Sequence, residues 1–238
     1  MHIKVMTYNI HHGKGLDKKV NLHRICDVIA NSNADIIGLN EVDRYFSKRS
    51  HFLDQTEYLT NELNYYGFFS PSLSLKPRKN CVTRQYGNAI LSRFPIHASN
   101  SYVFSNRLCF TEDRSILEAI IPLNDKLVHF YVTHLSLNPC IHNKQSEFII
   151  NKAKRPAVII GDWNMKMQSK RWRRVVEVYR DVWDSVENPA GLTYPSQNPR
   201  KRLDYMFVSN DIKILDVQVN DFMPTASDHL PLVSTLSI

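Results

Sequence analysis

The chain has 238 residues, of which 43% are hydrophobic and 22% charged, with only 7 Gly and 11 Pro. This composition is typical of a globular protein and excludes a disordered or fibrous chain. A chain of this length can bury a sizeable core, and no repeat or Pro/Gly-rich linker divides it, so we expect one domain over residues 1–238.

The cysteines and the hydropathy pattern indicate where such a chain works. Its four cysteines are widely scattered, with no CxxC pair or clustered His/Cys set of the kind that holds zinc, and they suit a reducing compartment. The first residues, MHIKVMTYNI, lack the pattern of a signal peptide. No run approaches the length of about 18 apolar residues that a spanning helix needs. We expect a cytoplasmic protein without stable membrane insertion.

The net charge of +7 is concentrated in one region. Residues 63–111 contain no Asp or Glu, and they carry six cations: Lys76, Arg78, Lys79, Arg84, Arg93 and Arg107. Such a region raises the local concentration of anionic partners, such as nucleic acid, lipid head groups or nucleotides. A solvated basic loop without any ligand is the alternative, and sequence charge alone leaves both open.

Short strands dominate the predicted elements. Runs rich in β-branched and aromatic residues predict strands at 3–9, 35–42, 88–92, 115–121, 127–135, 157–162, 203–208, 214–219 and 232–236. Apolar residues within 22–29 have the spacing of one buried helix face, and a second helix is predicted at 168–182. Residues 69–84 are expected to form a long irregular loop. Several strands mix alternation with full burial, which predicts two stacked sheets covered by outer helices.

Polar residues stand where several of the hydrophobic strands end or begin. They are Asn9, Glu41, His134, Asp162, Asn164, Asp228 and His229. Each one alone is explained equally well as a turn residue, a surface charge or a helix cap. Together they provide the groups that metal-assisted phosphoryl chemistry requires, and we expect them to converge on one rim of the sheet pair.

The carboxylates and amides of this set have candidate roles. Magnesium prefers a few protein oxygens together with water and substrate phosphate. Glu41 and Asp228 can provide carboxylate oxygens, and Asn9 an amide oxygen. Asp162 is suited to orienting or deprotonating the attacking water, and Asn164 to donating a hydrogen bond to a phosphate oxygen.

The two imidazoles have a less specific role. His134 and His229 can donate hydrogen bonds or protons, because an imidazole titrates near pH ~6.5 and is easily retuned by its surroundings. Asp204, in the sequence RLDYMF, is a candidate for orienting one of the two rings.

Eight short motifs follow one another along the chain: MTYNI, LNEV, YGNAILSR, EDR, VTHL, GDWN, RLDYMF and SDHLP. In this order they resemble the motifs of the endonuclease/exonuclease/phosphatase family, from the region of Met6 to the C-terminus. The resemblance implies an α/β (α+β) fold, a four-layer α/β/β/α sandwich of two mixed sheets packed face to face with outer helices. It also implies one catalytic domain with a divalent-metal site, and hence Mg²⁺ or Mn²⁺ as the cofactor.

The resemblance also implies roles for particular residues. Asn9 and Glu41 would lie near the metal, with Asp228 as a further metal contact. Tyr86 and Arg114 would face the scissile phosphate.

The remaining motifs supply the groups around the reacting water. Asp162 and Asn164 match the water-activating and transition-state pair of the family. His134 is similar to the phosphate-contacting histidine of the deoxyribonuclease and sphingomyelinase branches. His229 is similar to the histidine of the SDH motif, backed by Asp204.

Two departures from the family pattern bear on the mechanism. Asn40 stands where the family more often has Gln, which keeps an amide beside Glu41 but shortens its reach. The deoxyribonuclease branch pairs the histidine similar to His134 with a glutamate from the preceding segment, and residues 63–111 contain none. We therefore expect His134 to act as a neutral hydrogen-bond donor rather than as a protonated general acid.

The sequence leaves three functions open. The first is hydrolysis of a phosphodiester in nucleic acid or a related polyanion, which the basic region and the sequence PRKR at 199–202 favour. The second is hydrolysis of a phospholipid or small-molecule phosphate ester, which the short chain without a DNA-grasping insertion favours. The third is a non-catalytic binding protein, against which the retained acidic residues argue. No protein partner is predicted.

Overall fold

The computed structural model of the chain describes residues 1–77, 82–105, 112–185 and 191–238. Three of the cations in the predicted basic region, Arg78, Lys79 and Arg107, lie outside the described residues, as do Cys81 and Cys109. Within the described ranges the chain forms twelve strands, four α-helices and three short 3₁₀ turns.

The strands and helices follow one another along the whole chain. The strands are β1 (His2–Asn9), β2 (Ile36–Arg44), β3 (Tyr66–Leu75), β4 (Arg84–Ser92), β5 (Ala98–Phe104), β6 (Arg114–Leu123), β7 (Lys126–His134), β8 (Ala157–Asp162), β9 (Arg180–Asp181), β10 (Asp204–Val208), β11 (Lys213–Val219) and β12 (Leu232–Ser237). The helices are α1 (Leu22–Ser32), α2 (Gln55–Leu63), α3 (Pro139–Lys152) and α4 (Lys170–Val176).

The strands form two six-stranded mixed sheets. The first sheet has the order β11-β12-β1-β2-β4-β3, and the second has the order β5-β6-β7-β8-β10-β9. Each sheet contains one parallel pair, β1 with β2 and β7 with β8, and the other described pairs are antiparallel. In each parallel pair a crossover helix, α1 or α3, joins the two strands, as parallel pairing requires.

Three hydrophobic clusters separate four layers. One lies between the two sheets and includes Ile90, Phe130 and Ile160. A second packs α1 and α2 on the first sheet, and a third packs α3 and α4 on the second sheet. The layers therefore follow the order α/β/β/α, and the fold predicted from the sequence is confirmed. None of the helices in the described ranges combines the length and apolar character needed to span a bilayer.

The predicted irregular loop at 69–84 is wrong for eight of its sixteen residues, and its residues 78–81 lie outside the described ones. β3 continues to Leu75, and β4 already begins at Arg84. Pro71 is tolerated because β3 is the edge strand of its sheet and because its register with β4 shifts between Pro71 and Leu73.

The predicted helix at 168–182 is also wrong in its extent. α4 covers only Lys170–Val176, beginning after Ser169, whose hydroxyl accepts a hydrogen bond from the Trp172 N–H. After Val176 the backbone turns at residues 177 and 178. Residues 180–181 pair with β10 as β9. The helices α2 and α3 and the strands β3, β5 and β9 were not predicted from the sequence.

The packing between the sheets generates a stability prediction. Ile160 of β8 is fully buried and lies directly over Gly38, where an added Cβ atom would come within 2.5 Å of its side chain. We expect Ile160→Ala to lower the free energy of unfolding by about 2–5 kcal/mol, because the cavity cannot close between two rigid sheets. Urea denaturation followed by circular dichroism measures this loss.

The matched control is Leu127→Ala in β7, because the Leu127 side chain is 49% exposed. Its substitution should cost less than about 1 kcal/mol. A similar loss for both variants would contradict close packing between the sheets.

Candidate functional site

The two parallel strand pairs bring polar residues to neighbouring sheet edges. Asn9, the last residue of β1, pairs with Asn40 of β2. His134, the last residue of β7, pairs with Asp162, the last residue of β8. Because the carboxyl ends of parallel strands meet at one edge, these four residues line the rim where the two sheets face each other.

A β-bulge sets the direction of the Glu41 side chain. The register of β2 with β4 shifts between Leu39 and Val42, so that Asn40 and Glu41 together oppose a single residue. Glu41 takes a left-handed backbone conformation, with φ at 60°. Asn40 then points between the sheets, and Glu41 points to the rim.

Other residues of the rim share this unusual backbone. His11, His12 and Asn164 have φ values of 46°, 47° and 46°. For residues other than Gly such conformations cost of order 1–3 kcal/mol each and cluster at functional sites. Gly161, directly before Asp162, has φ at 143°, and a Cβ atom there would lie 1.8 Å from the Thr133 carbonyl oxygen. The close approach of β8 to β7 explains the glycine of the GDWN motif.

Asn40 is fully buried and connects the two sheets. Its Nδ2 donates to Asn88 Oδ1 at 2.8 Å and to the Thr133 carbonyl at 3.0 Å. Its Oδ1 accepts from the Asp162 backbone N–H at 2.9 Å. The shorter amide therefore reaches across the sheets, and its contact is with the backbone of Asp162. Sequence reasoning noted this residue but assigned it no role.

Asn9 lies between Glu41 and Asp162. Its Nδ2 donates to Glu41 Oε1 at 3.1 Å and to Asp162 Oδ2 at 3.2 Å. Its Oδ1 accepts from the His11 backbone N–H at 3.1 Å. Two carboxylates that are far apart in sequence thus contact one amide group, one on each sheet.

His11 and Asp228 border the Glu41 side of the rim. His11 Nδ1 lies 3.5 Å from Asp228 Oδ1, and both side chains are about one-third exposed. Metal-ligating atoms of His11, His12 and Glu41 all lie within 4.8 Å of one another. Burial and the charge of Arg49 lower the pKa of His12 to about 3, which keeps its imidazole neutral. His11 and His12 were missed from the sequence, although the pair HH directly after MTYNI was a usable signal.

Asp162, His229 and Asp204 form a buried group on the other side. The His229 Nδ1 lies 2.8 Å from Asp204 Oδ2, and its Nε2 lies 3.8 Å from Asp162 Oδ2. Burial raises the pKa of Asp162. Burial alone would lower the pKa of His229, but the nearby charge of Asp204 and its hydrogen bond raise that pKa overall. The raised pKa of His229 favours its imidazolium form beside the Asp204 carboxylate.

His134 approaches the same oxygen of Asp162, at 3.6 Å from its Nε2. Burial, with the charges of Arg114 and His229, lowers the pKa of His134 well below its usual range. Asn164 donates its backbone N–H to Asp162 Oδ1 at 2.9 Å and its side-chain amide to the Leu135 carbonyl at 3.0 Å. Asp162 Oδ2 thus faces two imidazole nitrogens at distances longer than a direct hydrogen bond.

Tyr86 interacts with Glu41, and Arg114 interacts electrostatically with His134. Burial, the charge of Glu41 and a hydrogen bond to it raise the pKa of Tyr86. Arg114 is 9% exposed and pairs with Glu112 at 2.8 Å, while its Nε has no partner among the described residues. The ten residues singled out from the sequence are therefore connected with one another by hydrogen bonds, ion pairs or electrostatic interactions.

The charges of the site fit a divalent cation. Four carboxylates converge on the rim: Glu41, Asp162, Asp204 and Asp228. Against them stand the His229 imidazolium and Arg114, which already pairs with Glu112. Carboxylates, an amide and open sides for water or phosphate suit Mg²⁺ or Mn²⁺. The Asp162, Asp204 and His229 group is less suited to Mg²⁺, because all three residues are buried and leave little space for the waters and phosphate oxygens that this cation keeps as ligands.

Comparisons with known proteins identify structural neighbours and a family for this chain. No curated protein sequence matches the chain significantly. A solved endonuclease/exonuclease/phosphatase from Beutenbergia cavernae is 23% identical with a TM-score of 0.84, covering 100% of this chain and 72% of that one. The mannosyl-6-phosphatase from Bacteroides thetaiotaomicron is 17% identical with a TM-score of 0.73, covering 99% and 100%. The human Nocturnin catalytic domain with bound sulfate is 22% identical with a TM-score of 0.68, covering 99% and 94%.

These structural likenesses show the fold. The sequence match is to a family model described as the Endonuclease/Exonuclease/phosphatase family, and it extends over residues 6–229. The chain therefore belongs to the endonuclease/exonuclease/phosphatase family.

Proposed function

We propose that residues 1–238 act as a divalent-metal-dependent phosphoesterase that hydrolyses a phosphodiester, in nucleic acid or a related polyanion, by in-line attack of water. Members of the family are hydrolases that act on phosphoester bonds. One observation carries the proposal: Glu41 and Asp162 contact the same amide nitrogen of Asn9. A metal-binding carboxylate and a carboxylate suited to water activation thereby share one rim.

Glu41 and Asp228 are the proposed protein ligands of the cation, Mg²⁺ or Mn²⁺. We add His11 to this group because its Nδ1 lies beside Asp228. Asn9 holds the Glu41 carboxylate through its nitrogen, and its oxygen, which accepts one backbone hydrogen bond, keeps a lone pair for the predicted metal contact. When bound, such a cation neutralises charge on the phosphate oxygens.

Asp162 is the proposed base that orients and deprotonates the attacking water. Its raised pKa brings it closer to neutrality, where a general base is most effective. Asn164 and the imidazolium of His229 are positioned to donate to phosphate oxygens as charge develops there. Asp204 holds the His229 ring through its Nδ1.

His134, Tyr86 and Arg114 are the further proposed phosphate contacts. The lowered pKa of His134 supports a neutral ring that donates one hydrogen bond. The unpartnered Nε of Arg114 supports a role in binding a phosphate oxygen. Protonation of the leaving group would then fall to His229 or to water held at the cation.

A small-molecule phosphate ester is the second candidate substrate. The structural relative from Bacteroides thetaiotaomicron is named a mannosyl-6-phosphatase, and this chain covers the whole of it. A screen of bis(p-nitrophenyl) phosphate, oligonucleotides, phospholipid head-group esters and sugar phosphates with Mg²⁺ and Mn²⁺ separates the two candidates. Background turnover of every ester would leave only the non-catalytic binding protein.

A substitution at Asp162 tests the proposed base. Asp162→Asn should lower kcat for bis(p-nitrophenyl) phosphate by about 10²–10⁴-fold, because the amide cannot accept the proton of the water. Circular dichroism should show an intact fold. Asp125→Asn, an exposed position in the turn between β6 and β7, is the control and should keep full turnover. Equal rates for the two variants would remove Asp162 from this mechanism.

A substitution at Glu41 tests the proposed cation site. Glu41→Gln should weaken Mn²⁺ binding by at least about tenfold, because a neutral amide replaces a carboxylate ligand. Isothermal titration calorimetry with Mn²⁺ alone measures this affinity without reference to turnover. Glu57→Gln, at an exposed position of α2, should bind Mn²⁺ as the unchanged protein does. An unaltered affinity in Glu41→Gln would place the cation elsewhere.

A further inference from the structure

A basic cleft runs from Asn164 along the surface beyond the candidate active site. Its first part is a cavity of about 410 Å³ lined by Asn164, Met165, Lys166, Ser169, Lys170 and Arg171. Its second part is a cavity of about 380 Å³ lined by Met165, Lys166, Met167, Leu192, Arg200, Lys201, Arg202 and Leu203. The two parts share Met165 and Lys166, and the first shares Asn164 with the active site. We call the two cavities together the basic cleft.

The cations of the basic cleft are not neutralised by described acidic residues. Residues 163–176 and 191–203 contain no Asp or Glu. Lys166, Lys170, Arg171, Arg200 and Lys201 form no ion pair with the acidic residues that the structure describes. Like charges gathered without partners raise the local potential and attract an anion.

Arg202 lies in the wall of the second cavity but is held by protein contacts. It is only 4% exposed, and its Nη2 donates to Asp181. Its side chain also forms a hydrogen bond with Tyr205, so the free cations of the basic cleft are the exposed ones around it. Its guanidinium lies 4.4 Å from the centre of the Tyr205 ring, which holds the group in place at the cavity wall.

A larger cavity elsewhere lacks these properties. The cavity of about 500 Å³ beside α2 includes Arg44, but this side chain is paired with Asp54 at 2.8 Å. Within the predicted basic region, Arg93 is likewise paired, with Asp35 at 3.1 Å. The basic cleft therefore differs from the cavity beside α2 in two respects: its exposed cations are unpaired, and it adjoins Asn164.

The walls of the basic cleft are apolar between the cations. Met165, Met167, Leu192 and Leu203 line the second cavity together with the basic side chains. A ligand that combines an organic ring with a negative charge matches such a lining, because the ring covers the apolar wall and the charge faces the cations.

We propose that the basic cleft binds a second phosphate group of the substrate, one nucleotide unit away from the phosphate that is hydrolysed. The inference rests on the proposed function, since it takes Asn164 as the contact of the scissile phosphate. Lys166 and Lys201 contact the second phosphate, and Met165 and Leu203 contact the sugar or base between the two phosphates. The second phosphate belongs either to a nucleic-acid strand or to a small nucleotide with two separate phosphates.

The test compares two ligands that differ by one phosphate. Calorimetric titration with Mg²⁺ at low ionic strength measures the affinities of thymidine 3′,5′-bisphosphate and thymidine 5′-monophosphate. We expect the bisphosphate to bind about tenfold more tightly, because charge-assisted hydrogen bonds to phosphate are among the stronger polar contacts. A tetrathymidylate arm separates the two sources: a further gain in affinity assigns the phosphate to a strand, and no gain assigns it to a small nucleotide.

Two double variants locate the effect. Lys166→Gln/Lys201→Gln should reduce the affinity ratio to about threefold or less, since both proposed contacts are removed. Lys126→Gln/Lys213→Gln removes the same charge at exposed positions on other strands and should keep the ratio. Circular dichroism checks that both variants fold.

The outcomes are separate for the two proposals. Equal affinities of the unchanged protein for the two ligands, or an unchanged ratio in Lys166→Gln/Lys201→Gln, would overturn the second phosphate site. If the ratio behaves as expected but bis(p-nitrophenyl) phosphate is not hydrolysed, the proposed phosphoesterase function fails and the anion site stands.

Discussion

The buried amide of Asn40 holds the two sheets in the relative position that the site requires. From β2 in the first sheet it donates to the Thr133 carbonyl of β7 and accepts from the Asp162 N–H of β8. Each of these buried groups would cost about 1–3 kcal/mol if left without a partner, so other offsets between the sheets are disfavoured. Asn88 adds a second crossing contact, from its Nδ2 to the Ser115 carbonyl. These amides and the rim contacts of Asn9 together set the distance between Glu41 and Asp162.

Buried charges set the protonation of the two histidines at the rim. Asp162 and Asp204 are nearly inaccessible, and the imidazole of His229 stands between them. The nearby charges of Asp204 and Asp162 raise the pKa of His229, while burial and the charges of Arg114 and His229 lower the pKa of His134. The same fold thus contains one charged and one neutral histidine within reach of a single carboxylate oxygen. The excess negative charge at the Glu41 side is what a divalent cation would offset.

Positive charge is distributed differently in space and in sequence. The sequence placed its excess in residues 63–111, yet in the described part of that region Arg93 is tied to Asp35. Lys76 and Arg84 of that region form no ion pair with described acidic residues, and further unpaired cations lie in two short segments on either side of β9, which tertiary packing brings together beside Asn164. A count of charges along the chain cannot distinguish paired from unpaired groups, because ion pairs form between residues that are distant in sequence.

The sequence by itself determined the layered fold class, most of the central strands and the residues at their ends. These follow from local patterns: alternation and burial identify β1, β2, β7 and β8, and polar residues mark where they stop. It did not determine β3, β5, α2 or the short extent of α4, because edge strands and weakly amphipathic helices acquire their structure from what they pack against. Only the tertiary structure decided that Asn9 faces Glu41 with its nitrogen, that His11 joins the rim, and that Asn40 spans the sheets. Those features depend on a bulge, on left-handed backbone and on contacts between sheets, which local patterns do not encode.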